Sequence, residues 1–102
     1  RFRYLHARPG GTAALAKAAE ELCGERAWVF TRDRLVDEGW LGPEAPPGPV
    51  LSRIGDVTLA ARGSVAFVDP THPLETRLVA GHGSLTESEM LVPLLAGRGR
   101  AN

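Results

Sequence analysis

Thr12-Ala13-Ala14-Leu15-Ala16-Lys17-Ala18-Ala19-Glu20-Glu21-Leu22-Cys23-Gly24, continued by Glu25-Arg26-Ala27-Trp28-Val29-Phe30-Thr31, decides the fold class. Thr12 is placed to cap a helix running from Ala13 to Cys23. Leu15, Ala18, Ala19 and Leu22 share one face of that helix, and Lys17, Glu20 and Glu21 lie away from it. Lys17 stands three and four residues from the two glutamates, the spacing of helical ion pairs. Gly24 is a natural stop. Ala27 to Thr31 is dense in β formers and predicts a strand. Upstream, Phe2, Tyr4 and His6 alternate with Arg3 and Leu5, which predicts a strand over 1–7, ended by Pro9-Gly10-Gly11. Strand, helix and strand in this order make a βαβ unit or a split version of one. The expectation is an α+β domain, a small mixed sheet of about four to six strands with one main helix and short helices packed on it.

The rest of the chain adds shorter elements. Arg32 to Glu38 predicts a brief helix ending at Gly39, with Asp33, Asp37 and Glu38 on a solvated face. Residues 42–49 hold four prolines and two glycines and predict a proline-rich surface loop. Val50, Leu51 and Ile54 fit one or two helical turns before Gly55. Val57, Leu59 and Ala61 alternate, Gly63 interrupts, and Val65, Phe67 and Val68 resume. This predicts two strands about a tight turn, or one strand with a bulge. Leu74 to Ala80 reads as a weak strand or extended segment leading to the His82 turn.

Composition sets the bounds. The 102 residues form one domain at most, with zero formal net charge and 43% hydrophobic residues. A neutral balance argues against polymeric nucleic acid or an anionic membrane as partner. No apolar run is long enough to span a bilayer, and a cytoplasmic location is expected. Cys23 stands alone and reads as a packing residue, which removes disulfide and cysteine-zinc frameworks. Arginine supplies all the basic residues except Lys17. Because the chain opens at Arg1, an excised piece of a longer protein is one reading. No Gly-Lys-Ser/Thr phosphate loop, Gly-x-Ser-x-Gly elbow or His-Glu-x-x-His motif occurs.

Chemistry gathers at Gly81-His82-Gly83-Ser84-Leu85-Thr86-Glu87-Ser88-Glu89-Met90-Leu91-Val92-Pro93-Leu94-Leu95. Glycine on both sides lets the His82 imidazole approach a metal or substrate without crowding. Thr86 and Glu89 match a capping box for one turn of helix. Leu91, Val92, Leu94 and Leu95 predict a short strand entering a core. His6 reads as a partly buried strand histidine, His72 as an exposed turn residue, and Gly97-Arg98-Gly99-Arg100 as a solvated end.

This block resembles the C-terminal block of the alkaline phosphatase superfamily, in particular its type I phosphodiesterase/nucleotide pyrophosphatase branch. Arg3-Tyr4-Leu5-His6-Ala7, Arg26 to Arg32 and Ile54-Gly55-Asp56-Val57 are similar to segments that precede that block in the family. The resemblance implies the C-terminal portion of an alkaline-phosphatase-like α/β fold. It also implies that His82 is a metal ligand in a parent hydrolase holding two divalent metal ions, zinc by the family's habit. The family's nucleophile and its carboxylate and Asp-His-Gly ligands have no counterpart among the 102 residues. The chain is therefore expected to carry no catalytic residue, to bind no metal tightly alone, and to partner an N-terminal catalytic portion that acts on a phosphodiester or nucleotide. The alternative is a self-standing α+β binding or assembly module without catalytic activity.

Overall fold

A computed structural model describes residues 1–99. Its element order is β1 (Phe2–Leu5), α1 (Thr12–Cys23), β2 (Ala27–Thr31), α2 (Arg32–Asp37), α3 (Gly48–Leu51), β3 (Val57–Ala61) and α4 (Glu87–Met90), with a 3-10 turn at Glu75–Arg77. The class is α+β, as expected. The sheet has three strands in the order β1-β3-β2, and both pairings are antiparallel. The expected mixed sheet of four to six strands is thus replaced by a smaller antiparallel one. β1 and β2 run parallel to each other with β3 inserted between them, so the opening unit is the split form of βαβ.

All five residues of β3 are buried, because both faces of the sheet are covered. On one face Ala19 of α1 meets Ala27, Val57 and Leu59, with Leu5, Leu15, Ala16, Cys23, Val29 and Phe67 around them. On the other, Phe30, Leu35, Ile54 and Ala60 pack with Trp28, Leu41, Leu51 and Leu85. The face of α1 is turned from the expected one. Leu15, Ala16, Ala19 and Cys23 point inward, whereas Ala18 and Leu22 are exposed. Alanine at 13, 14, 16, 18 and 19 leaves the apolar stripe poorly defined, and the packing against β2 and β3 settles its phase. The helix cap lies at Gly11 instead of Thr12, without a side-chain hydrogen bond. Thr31 does cap α2, accepting from the Arg34 N–H at 3.3 Å.

Gly55 is buried for a steric reason. A Cβ there would lie 2.7 Å from the Leu5 carbonyl oxygen and 2.8 Å from Tyr4 Cβ. Beside it, Asp56 ties the three strand ends together. It accepts from the Ala7 N–H at 2.8 Å and pairs with Arg32 at 2.9 Å. Its carboxyl pKa is lowered, first by the Ala7 hydrogen bond and then by the Arg32 charge against a desolvation penalty.

Beyond Ala61 the expected architecture fails. Residues 64–68 are not a strand, although Phe67 still reaches the α1 side of the core. Gly48 and Pro49 belong to α3, which shortens the 42–49 loop; proline at a helix start loses no hydrogen bond. His6 lies outside β1 and is exposed. The expected buried strand at Leu91–Leu95 is an exposed extended segment, with Val92 at 82% and Leu94 at 94% exposure. Both sheet faces are already filled by α1 on one side and α2, α3 and Leu85 on the other, so no core position remains for it. Of the expected solvated end, Gly97 to Gly99 is exposed and Arg100 lies outside the described residues.

Candidate functional site

The chain passes from Phe67 on one face of the sheet to Leu85 on the other, and the strap between them carries His82. Two arginines of the first strand region hold the strap. The Arg1 guanidinium donates to the carbonyls of Gly63 at 2.7 Å and Val65 at 2.6 Å. It also meets Glu89 through two parallel hydrogen bonds of 2.6 and 2.8 Å. The side chains of this pair are only 11% and 16% exposed. Arg3 pairs with Glu75 and donates to the Phe67 carbonyl. Arg1 and Arg3 therefore anchor residues 63–90 by charge, where the sheet is held by apolar packing.

The geometry alters the expected capping box. Thr86 is the cap residue of α4, but its hydroxyl donates to the Glu89 carboxylate at 2.5 Å instead of accepting a backbone N–H. Glu89 turns toward Arg1 and also accepts from the Ser84 N–H at 3.3 Å. A two-pronged guanidinium bond outcompetes a neutral cap. The Glu89 carboxyl is held far below the usual carboxylate range, first by Arg1, then by the Thr86 hydroxyl, with desolvation opposing. Ser84 is buried and donates to the Ala61 carbonyl at 2.5 Å, pinning the strap to the end of β3.

His82 is exposed, on the turn that the sequence indicates. Its two glycines are not equivalent. Gly83 has φ +97°, a conformation that favours glycine, whereas a Cβ at Gly81 would make only ordinary contact with Arg1. His82 lines a cleft of about 480 Å³ together with Phe2, Arg3, Phe67, Val68 and Val79 among others. An adjoining cleft of about 500 Å³ lies between Arg1, residues 63–66 and residues 79–81.

The other candidates stay apart from His82. His72 is exposed, with Nδ1 3.0 Å from Asp69 Oδ2 and 3.1 Å from Thr71 Oγ1. Both partners meet the same ring nitrogen, so the trio cannot relay a proton from hydroxyl to carboxylate through the ring. The Asp69 carboxyl is lowered to about 2 by the Thr71 hydroxyl and N–H, then by His72. Asp33 and Asp37 are exposed on α2; Glu38 pairs with Arg34 and accepts from the Trp40 indole N–H at 2.9 Å. Cys23 is half-buried against the α1 core, the packing role its sequence context suggests.

Among the described residues, no three His, Cys, Asp or Glu side chains gather where they could hold a metal ion. Zinc needs at least three protein ligands, and among the described residues His82 has no second or third candidate ligand gathered with it. Sequence reasoning missed the roles of Arg1, Arg3 and Glu75. The available signal was the two-residue spacing of Arg1 and Arg3, which places two cations on one side of a strand. Among the described residues, no helix is long and apolar enough to cross a membrane. Compared with protein-family models, curated proteins and solved structures, the chain matches none.

Proposed function

We propose that this chain is the C-terminal portion of a metal-dependent phosphodiesterase or nucleotide pyrophosphatase with an alkaline-phosphatase-like α/β fold. In this reading His82 supplies one metal ligand, and an N-terminal catalytic portion supplies the nucleophile and the other ligands. One observation carries it. His82 is exposed on a Gly83-dependent turn and lines a cleft. Nothing in the chain's own core requires an imidazole there. A neutral ring nitrogen suits zinc, and two such ions would stabilise the charge of phosphoryl transfer. The residues of this chain do not fit a metal site by themselves, so no chemical step is assigned to them.

The test is the zinc content and phosphodiesterase activity of the intact parent and of its His82→Ala variant. The reading expects the variant to lose most of one metal equivalent and most turnover while the fold is kept. Unchanged zinc and full activity refute it. The 102-residue chain alone should turn over no nitrophenyl phosphodiester with added zinc or manganese. A second reading, a self-standing α+β binding or assembly module, draws on the two-sided core, built mainly from residues 1–61 and completed by Phe67 and Leu85. It is favoured if the parent lacks hydrolytic activity.

A further inference from the structure

We propose that Leu91–Leu95 of one copy of this chain docks as an added strand on the open edge of β1 in a second copy. The proposal goes beyond the metal-ligand reading and stands without it.

The receiving edge follows from the ladder. The Ala61 N–H donates to the Arg1 carbonyl, and pairing continues through Arg3 with Leu59 and Leu5 with Val57. Alternate residues of an antiparallel strand bond to opposite sides, so the backbone groups of Phe2 and Tyr4 face away from β3. Among the described residues none bonds to them. Phe2 and Tyr4 are also the exposed residues of β1, at 37% and 42%, and their rings meet edge to face. An edge strand is normally guarded by charge, proline or a cover. The one charge on β1 is Arg3, which is engaged by Glu75 and Phe67. The cleft beside this edge is walled by Val68, Leu78 and Val79, all exposed.

The matching donor is on the same chain. Leu91 has extended dihedrals, φ −74° and ψ 133°, and residues 91–97 carry no charge. Leu91, Val92, Leu94 and Leu95 together expose on the order of 500 Å² of apolar surface, a size that marks an interaction site. Pro93 is tolerated in a strand only at an edge, and a docked strand is an edge. The tail does not lie on its own sheet. The molecule measures 65 by 36 by 25 Å, and its radius of gyration of 17.5 Å exceeds the roughly 13 Å of a compact chain this long. A reciprocal exchange closes as a two-fold dimer and covers both β1 edges. Two tails and the two edges beneath them bury more than about 1,000 Å², the threshold for a stable interface. The recognition mode is strand addition, with backbone pairing for affinity and apolar side chains for register.

Sedimentation velocity of the full chain over a hundredfold concentration range tests this. The expected result is a dimer. Leu94→Arg should weaken it at least tenfold without changing the far-ultraviolet circular dichroism. Tyr4→Pro removes an outward N–H together with the exposed ring that packs on Phe2, leaves the ladder to β3 unbroken, and should weaken it as much. Mixing the two variants should restore association, since one intact edge then meets one intact tail. A wild-type chain that stays monomeric throughout overturns the proposal. A dimer that survives Leu94→Arg, or one lost with Leu94→Arg but kept with folded Tyr4→Pro, overturns it too.

Discussion

Residues 1–62 and residues 63–99 share one chain but are held by different forces. In the first region a short central strand is buried on both faces by mainly apolar packing, with Asp56 tying the strand ends. In the second, the fixed points are mainly polar: Arg1 with Glu89, Arg3 with Glu75, and Ser84 with Ala61, joined by Phe67 and Leu85. Apolar burial is cooperative and insensitive to pH, whereas carboxylate anchors respond to protons. The two regions should therefore come apart under different insults.

The largest effect should come from the first region. Leu59→Ala removes a buried side chain between α1 and the sheet and should cost about 2–5 kcal/mol in urea unfolding. Leu74→Ser, an exposed site in the second region, should change the same midpoint by less than about 0.5 kcal/mol. Equal losses at the two sites would dissolve the distinction. Next is Gly55→Ala, whose Cβ would strike the backbone of Leu5 and should cost about 1–3 kcal/mol. A smaller gain should come from Thr58→Val. The Thr58 hydroxyl is fully buried and has no hydrogen-bond partner among the described residues. Replacing it with a methyl should stabilise by about 1 kcal/mol, read from the urea midpoint.

The smallest global effect should be that of Glu89→Gln, and its location is the informative part. Amide exchange should quicken at Ser84, Met90 and Leu91 while β3 stays protected. The pH dependence has a definite sign. The folded carboxyl of Glu89 lies below its ordinary value of 4.5, so its contribution is full above that value and fades as pH falls. Wild type and variant should differ most near neutrality, and the difference should shrink steadily as pH falls below the ordinary value of 4.5. A difference that grows toward acid would refute the clamp.

The sequence announces the first region and hides the second. The α1 helix, β2 and β3 are legible because propensity and period speak locally, although alanine richness blurred which face of α1 turns inward. Val57, Leu59 and Ala61 alone suggested a half-buried strand; Thr58 and Ala60 are buried too because α2 and α3 cover the second face. The strap is illegible because Arg1 and Glu89 are 88 residues apart. An ion pair at that separation leaves no periodic trace. The run at 91–95 illustrates the same limit. Apolarity says that a segment seeks cover, but not whose. His82 was found because glycine neighbours are a local signal, yet only Gly83 proves conformationally special.

The position of β3 has a further consequence for synthesis. The central strand is the last of the three to leave the ribosome. Until residue 61 has emerged, β1 and β2 have no partner between them, and the helix between them has no sheet to rest on. Closing this arrangement requires pairing Phe2 with Ala60 across nearly sixty residues, a separation that slows folding. Until then the nascent chain carries Trp28 and Phe30 without the β3 partner that helps to cover them. A pause in decoding before β3 has emerged would lengthen that exposure, and the same pause after its emergence would not.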